Sequence, residues 1–418
     1  MTTPLTELAL APADQRLGAL LGELAAFCEF GRPTARTGIT VGGGRTVPVF
    51  VNEFWTSKQR AAHPLHEISY RACFKPQLPR FFIERLTQAC DLVYDPFMGR
   101  GTTLVEGALL GRRVAGCDIN PLSRVFTAPR LAPPTIEEIA ARLESIDFTW
   151  TGPMQEDLRV FYHRSTLRQL TALRSYLLNR IAAAQADHID RWIQMVATNR
   201  LTGHSPGFFS VYTLPPNQAV SIASQKRINA KRAQTPPQRD VPALILKKSR
   251  KLLSGFTHSP LSALSSQPAA LLSQSCEATP QLATASVDLV VTSPPFLDTV
   301  DYAQDNWLRA WFCDFDLTDA PIWHLRNLTD WTAAMTRTFR ELHRVLRPEG
   351  FIAFEVGEVR DGKVRLEEQI LAAGTAAGLE PVLVLINSQQ FTKTANCWGV
   401  SNNAKGTNTN RVVLFQKS

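Results

Sequence analysis

Residues 92–117 constrain the fold more than any other part of the chain. A short apolar run, Leu92-Val93-Tyr94, meets a turn with glycines at 99 and 101. A helical pattern over 102–110 and a second apolar run over 113–117 follow. Strand, glycine-bearing turn, helix and strand form the unit of a doubly wound α/β sheet, because two parallel strands need a crossover between them. The C-terminal third repeats this logic. Residues 287–292 (VDLVVT) are a near-continuous apolar run, as a strand buried on both faces requires. A helix over 328–346 then leads through Arg347-Pro348-Glu349-Gly350 to a strand over 351–356. A helix over 364–377 and strands over 381–386 and 411–416 complete the pattern. The expected fold class is α/β, a mostly parallel doubly wound sheet interrupted by the middle of the chain.

The flanking segments differ. Residues 14–31 have helical spacing (Leu17, Leu20, Leu21, Leu24, Cys28), and 31–46 reads as a loop or hairpin around Gly42-Gly43-Gly44. Another helical pattern covers 79–90. The middle, about 130–275, holds helical stretches at 135–145, 163–184 and 187–199, then a segment rich in Pro, Gln, Ser and basic residues. The expected organisation is an N-terminal extension (1–62), a first core half (63–129), an inserted region (130–271) and a second core half (272–418).

Composition removes several classes. With 418 residues and 44% apolar content, the chain can bury a core without disulfides or structural metals. Seven scattered cysteines, none spaced C-x-x-C, and no H-E-x-x-H leave no metal or redox motif. A cytoplasmic location is expected, since no apolar run of about 18 residues spans a membrane and the N-terminus has no signal-peptide pattern.

Two motifs carry chemistry. The first is Asp95-Pro96-Phe97-Met98-Gly99-Arg100-Gly101-Thr102-Thr103. Glycines directly after a strand and opening a helix let the backbone approach a ligand closely. It is neither a dinucleotide fingerprint, since Leu104 stands where the third glycine belongs, nor a P-loop. At the end of the next strand, Asp118 can accept hydrogen bonds from ribose hydroxyls. Its other reading is a cap for a helix starting near Pro121, with Asn120 as an alternative cap. The second motif, Thr292-Ser293-Pro294-Pro295-Phe296, lies at the carboxyl end of the buried strand, where α/β sheets bind ligands. Two prolines stiffen the turn. Ser293 and the Pro294 carbonyl can hydrogen-bond an amino group, and Phe296 offers a face to a flipped base.

D-P-F-x-G-x-G-T-T resembles the cofactor loop of S-adenosylmethionine-dependent methyltransferases that modify amino groups on DNA bases. T-S-P-P-F resembles the catalytic motif of the same family, most typically of its cytosine-N4 members; adenine-N6 enzymes usually carry Asp or Asn where Ser293 stands. The resemblance covers 63–125 and 272–418. It implies a class I methyltransferase-like, Rossmann-like fold with S-adenosyl-L-methionine as cofactor. The implied catalytic residues are Ser293, Pro294, Pro295 and Phe296. The implied cofactor contacts are Asp95, Pro96, Phe97, Gly99, Gly101, Thr102, Thr103, Asp118 and Asn120. Phe74 and Pro76, in HPLHEISYRACFKPQLP (63–79), would close over the methionine end, and Glu277, in 273–278, would lie on the adenine side.

A base inside a duplex cannot reach such a pocket, so base flipping and an affinity for double-stranded DNA are implied. The net charge of +8 has one address. Residues 224–251 contain Lys226, Arg227, Lys231, Arg232, Arg239, Lys247, Lys248, Arg250 and Lys251 against Asp240 alone, and the remainder balances 36 basic with 36 acidic residues. These nine are the expected phosphate contacts. The nearby Phe208, Phe209 and Tyr212 read as core of the inserted region rather than as DNA contacts. Residues 396–410 read as a long hairpin loop or a groove contact.

The function expected is therefore DNA amino-methylation, most in keeping with cytosine N4, as the modification half of a restriction system with a cognate endonuclease. Methylation at cytosine C5 is disfavoured, because no cysteine follows a proline. Adenine-N6 methylation, RNA methylation and a DNA-binding module with a vestigial pocket are the rivals.

Overall fold

The computed structural model describes residues 13–418 apart from 57–61, 72, 214–217, 257–268, 296–301, 318–321, 324, 360–363 and 389–408. Phe296 and most of the 396–410 loop lie outside the described residues. Eleven strands occur among the described residues: β1 Ala35–Thr40, β2 Thr46–Asn52, β3 Leu92–Asp95, β4 Arg113–Cys117, β5 Ala270–Leu272, β6 Val287–Thr292, β7 Leu346–Val356, β8 Glu358–Val359, β9 Val364–Arg365, β10 Glu380–Ser388 and β11 Thr409–Gln416. Nine form one sheet in the order β1-β2-β10-β11-β7-β6-β3-β4-β5, and β8 pairs with β9 separately.

The sheet is parallel where the cofactor motif sits. β3 pairs parallel with both β4 and β6, β4 with β5, and β6 with β7. β11 runs antiparallel between β7 and β10. β6 is buried along its whole length, and its side chains alternate between two covered faces. Leu289 and Val291 join the cluster of Leu20, Leu24, Phe82 and Ile83 from the helices Ala13–Ala26 and Gln77–Leu86. Val290 joins Trp331, Met335, Phe339 and Leu342 from the helix Leu328–Val345, whose start is capped by the Asn327 side chain. The α/β, doubly wound expectation therefore holds.

Three features differ from the sequence expectation. The stretch 31–52 is a hairpin whose second strand pairs parallel with β10, so part of the N-terminal extension widens the sheet. β5, at the expected boundary between inserted region and second core half, is itself a sheet strand. Arg347–Gly350 is not a separate turn: β7 starts at Leu346 and takes the four residues in with an irregular register, Glu349 adopting φ +62°.

The middle region contributes the helices Ile136–Ser145, Arg164–Ala182, His188–Arg200, Ile222–Lys231 and Val241–Leu253. Its apolar residues, Trp192, Ile193 and Leu252 among them, share one cluster with Leu104 and Phe126 of the cofactor half. The last two helices lie in the stretch whose composition obscured them. Ile222–Lys231 buries only Gln225, and amides hold it: Gln225 donates to the Tyr212 carbonyl at 3.1 Å and Asn229 to that of Val160 at 2.7 Å. Phe208 and Phe209 are buried, as the core reading of the aromatics expected.

Candidate active site

The glycine loop is set by its backbone angles. Gly99 and Gly101 adopt φ of +49° and +73°, the left-handed region that favours glycine. At Gly101 there is a second constraint, because a Cβ there would lie 2.3 Å from Thr127 Oγ1 and 2.5 Å from its Cγ2. The loop thus turns from the end of β3 into the helix Thr102–Leu109 while resting on the helix Leu122–Leu131.

Asp118 closes this loop. Its two carboxylate oxygens accept the N–H groups of Gly99 and Asn120, each at 2.8 Å. The helix after Pro121 is served instead by Asn120, whose side-chain oxygen accepts the Leu122 N–H at 3.1 Å. Asn120 also donates to the Tyr70 hydroxyl at 3.1 Å. Burial raises the Asp118 carboxyl above its ordinary value, against the lowering effect of the two N–H bonds.

The segment before the loop is tied down by two arginines. Arg100 donates to the carbonyls of Ile68 (2.7 Å) and Phe74 (3.4 Å), and Arg130 to those of Leu65 (3.1 Å) and Arg100. Tyr70, Cys73 and Phe74 thereby line a cavity over the loop. Pro76 stands at the start of the helix Gln77–Leu86 and does not line it.

The second motif opens into the same cavity. Thr292 donates to Asp95 Oδ1 at 2.6 Å, and Thr103 donates to the Val291 carbonyl at 3.0 Å, so the two motifs are bonded to each other. The Trp331 indole N–H holds the Pro295 carbonyl at 2.9 Å. Ser293 and Glu355 follow the paired Thr292 and Phe354 on neighbouring strands, which sets the serine beside the buried Glu355 carboxyl, and that carboxyl accepts Asn410 Nδ2 at 3.1 Å. Burial raises the Glu355 carboxyl. It also pushes Asp95 up to about 7, outweighing the hydrogen bonds from Thr292 and the Phe97 N–H.

The cavity opens to solvent and encloses about 820 Å³ when its mouth is counted. Asp95, Pro96, Phe97, Gly99, Thr102, Asp118, Asn120, Ser293 and Pro295 all line it. Thr103, Gly101 and Pro294 are not among its lining residues. Gln274, Ser275 and Cys276 form a wall, whereas Glu277 turns away to an ion pair with Arg337 at 2.8 Å. Sequence reasoning missed Tyr70, Ile119, Ile322, Trp323 and Glu355. Ile119 stands between Asp118 and Asn120 and Tyr70 lies within 63–79, whereas Ile322, Trp323 and Glu355 belong to no local motif.

The basic residues do not all face solvent. Lys226, Arg227, Lys231, Arg232, Lys247, Arg250 and Lys251 are exposed and Arg239 is half-buried. Lys248 departs from the expected phosphate-contact set: it is buried, with Glu67 3.5 Å away. It follows Val241 and Ile245 on the inner stripe of its helix. Burial and the nearby Arg200 lower its ammonium to about 8. Lys251 reaches the same Glu67 at 2.6 Å. Among the described residues no cluster of metal-ligating side chains occurs, and no helix is long and apolar enough to cross a membrane.

Residues 45–123 match the family described as DNA methylase. The type II methyltransferase M.MvaI of Kocuria varians is 31% identical over 116 residues, 27% of this chain and 24% of that protein. The type II methyltransferase M.MjaII of Methanocaldococcus jannaschii is 35% identical over 85 residues, 20% of this chain and 16% of that protein. The chain therefore spans about a quarter or less of the length of these relatives. A solved S-adenosylmethionine-dependent methyltransferase of Methanosarcina mazei is 10% identical, covering 80% of this chain and 96% of its own, with a TM-score of 0.31. The segment matched by the family holds Asp95, Gly99, Gly101, Asp118 and Asn120.

Proposed function

We propose that this chain transfers a methyl group from S-adenosylmethionine to the exocyclic amino group of a flipped DNA base, cytosine N4 in the first instance. The observation that carries the reading is that the Gly99–Asp118 loop and the Ser293–Pro295 turn open into one cavity. The residues fit the cofactor. Asp95 is a buried carboxylate with no cationic partner among the described residues, suited to an ammonium, and Asp118 stands at a wall where ribose hydroxyls can bond. When bound, the cofactor supplies an electrophilic methyl on a sulfonium.

The chain's own residues then orient the nucleophile. An aromatic amino nitrogen is weak because its lone pair is delocalised. In this reading Ser293, set beside Glu355, turns its hydroxyl proton toward that carboxylate, which leaves the Ser293 oxygen free to accept an N–H from the base. The second N–H falls, by the motif's resemblance, to the Pro294 carbonyl, between Ser293 and Pro295 that line the cavity. Holding both favours a pyramidal, more nucleophilic nitrogen, and such positioning is worth up to ~7–11 kcal/mol. The role proposed for the protein is the modification half of a restriction system.

The deciding experiment incubates the protein with labelled cofactor and varied duplexes, then identifies the methylated nucleoside. N4-methylcytosine is expected. N6-methyladenine alone refutes the cytosine assignment, label only in RNA refutes DNA modification, and no cofactor binding refutes the enzyme.

Two further outcomes are expected. The Asp95 carboxyl, raised to about 7, is neutral below that pH and loses its attraction for an ammonium. Cofactor affinity measured by calorimetry should therefore fall as pH drops from 8 to 6, and Asp95→Asn should bind weakly with a flat profile. A wild-type profile as flat as the variant's would remove Asp95 from that role. Neutralising Lys226, Arg227, Lys231, Lys247 and Arg250 should weaken DNA binding and flatten its salt slope by about 0.9 for each phosphate no longer neutralised. Lys248→Gln should instead lower stability. An unchanged slope in the five-residue variant returns those charges to a merely solvated face.

A further inference from the structure

We propose that the indole of Trp323 is the surface on which the adenine ring of the cofactor stacks; this rests on the cofactor reading above and assigns a residue outside both motifs. Trp323 and Ile322 line the cavity from the stretch between the helices Trp307–Cys313 and Leu328–Val345. The Trp323 ring lies 5.8 Å from that of Phe97 at 58°, and Phe97 in turn meets Phe354 of β7 at 6.5 Å and 86°. Trp323 is half-buried, so part of the ring remains open to a ligand.

The lining mixes polar groups, Asp95, Asp118 and Asn120 among them, with apolar ones, and the Trp323 ring stands there beside Phe97. The cofactor has a charged half and a flat one. Its charged methionine half is matched by the buried Asp95 and the glycine loop, and its flat, weakly hydrated adenine by an aromatic wall. Eight residues beyond Trp323, in the helix Leu328–Val345, the Trp331 indole holds the Pro295 carbonyl at 2.9 Å. The segment that supplies the stacking surface therefore also braces the catalytic turn, and a seated adenine would stiffen both.

The test uses the full chain with Trp323→Ala, Trp323→Phe and Trp323→Leu, titrated by calorimetry with S-adenosylmethionine, S-adenosylhomocysteine and adenosine. Truncating a stacked aromatic weakens a base contact by roughly ten-fold or more. Trp323→Ala should raise Kd by that factor equally for all three ligands, because they share only the adenosine half. Trp323→Phe should recover most of the affinity, and Trp323→Leu, apolar but without a π face, should recover less. Cofactor should quench part of the tryptophan emission of the wild type, and Trp323→Phe should lose that part while still binding, a readout that stands even where the alanine variant misfolds. Unchanged Kd values in a folded Trp323→Ala protein overturn the proposal while leaving the cofactor reading intact. A raised KM for DNA with unchanged cofactor Kd overturns it in favour of a role in holding the base. A wild type that fails to bind S-adenosylmethionine overturns the cofactor reading itself.

Discussion

Gly101→Ala is expected to abolish cofactor binding and to lower stability by about 2–4 kcal/mol. Two costs add. An alanine at φ +73° sits in the left-handed region, which costs roughly 1–2 kcal/mol. Its methyl would also overlap Thr127, whose Oγ1 lies 2.3 Å from where the new atom must go. The helix Leu122–Leu131 or the loop has to move, and the loop is the less anchored of the two. Any such shift displaces the Gly99 N–H from Asp118 Oδ2 and so disturbs the ribose side of the cavity.

The two costs can be separated. Thr127 is fully buried and its hydroxyl has no hydrogen-bond partner among the described residues, so Thr127→Ala sacrifices packing but no polar contact. The Gly101→Ala/Thr127→Ala protein should therefore recover part of the lost stability and some cofactor affinity, leaving the backbone strain and a Cβ–Cβ approach of 2.9 Å to residue 127. Gly99→Ala bears the strain alone, since its nearest foreign atom is 3.8 Å away, and should cost less than Gly101→Ala. Thermal melts and cofactor titrations read both effects. A Gly101→Ala protein that binds cofactor like the wild type would show that the loop does not cradle it, and a double variant no better than the single would clear Thr127.

How far these residues could be read from the sequence depends on how local their constraint is. The glycine loop and the Pro-Pro turn are local, because positive φ and a blocked N–H are properties of the residues themselves. So are the strands flanking them, whose apolar runs reflect burial on both faces. Glu355 is different. It stands in an apolar run of β7, and nothing near it in sequence says which strand it will face. Only the β6–β7 register, Thr292 opposite Phe354, brings the next residue on each strand together as Ser293 and Glu355. Trp323 is placed by the packing of a connector, which no periodicity encodes. β5 is three residues long and reads as a strand only once β4 is there to pair with it. Lys248 shows the converse. A count of charges treats nine basic residues alike, yet the spacing Val241, Ile245, Lys248, Leu252 is a helical stripe and already puts this lysine on the inner face.

Glu355→Gln should reduce the methylation rate about 100-fold while leaving cofactor affinity and fold intact. The carboxylate is buried, accepts Asn410 Nδ2 and stands beside Ser293. Methyl transfer to an amino nitrogen leaves that nitrogen with a surplus proton, which must depart. In the proposed reaction it passes to the Ser293 oxygen as the Ser293 hydroxyl proton passes to Glu355, so the serine is unchanged and the carboxylate ends protonated. Glutamine keeps the shape and one acceptor oxygen but cannot take up that proton. Serine and glutamate would then act as one unit, so Ser293→Ala/Glu355→Gln should be little slower than Ser293→Ala alone. The pH dependence follows from burial, which raises the Glu355 carboxyl above its ordinary value. As pH falls through that raised value the base is lost, so the wild-type rate should decline on the acid side and the variant's should not. Stability moves the other way. A carboxyl raised in the fold binds its proton more tightly there than in the unfolded chain, so its ionisation costs stability as pH rises through the folded value. Glu355→Gln should therefore melt no lower than the wild type at pH 8. A rate unaffected by the substitution, or one that disappears together with the fold, would remove Glu355 from the proton path.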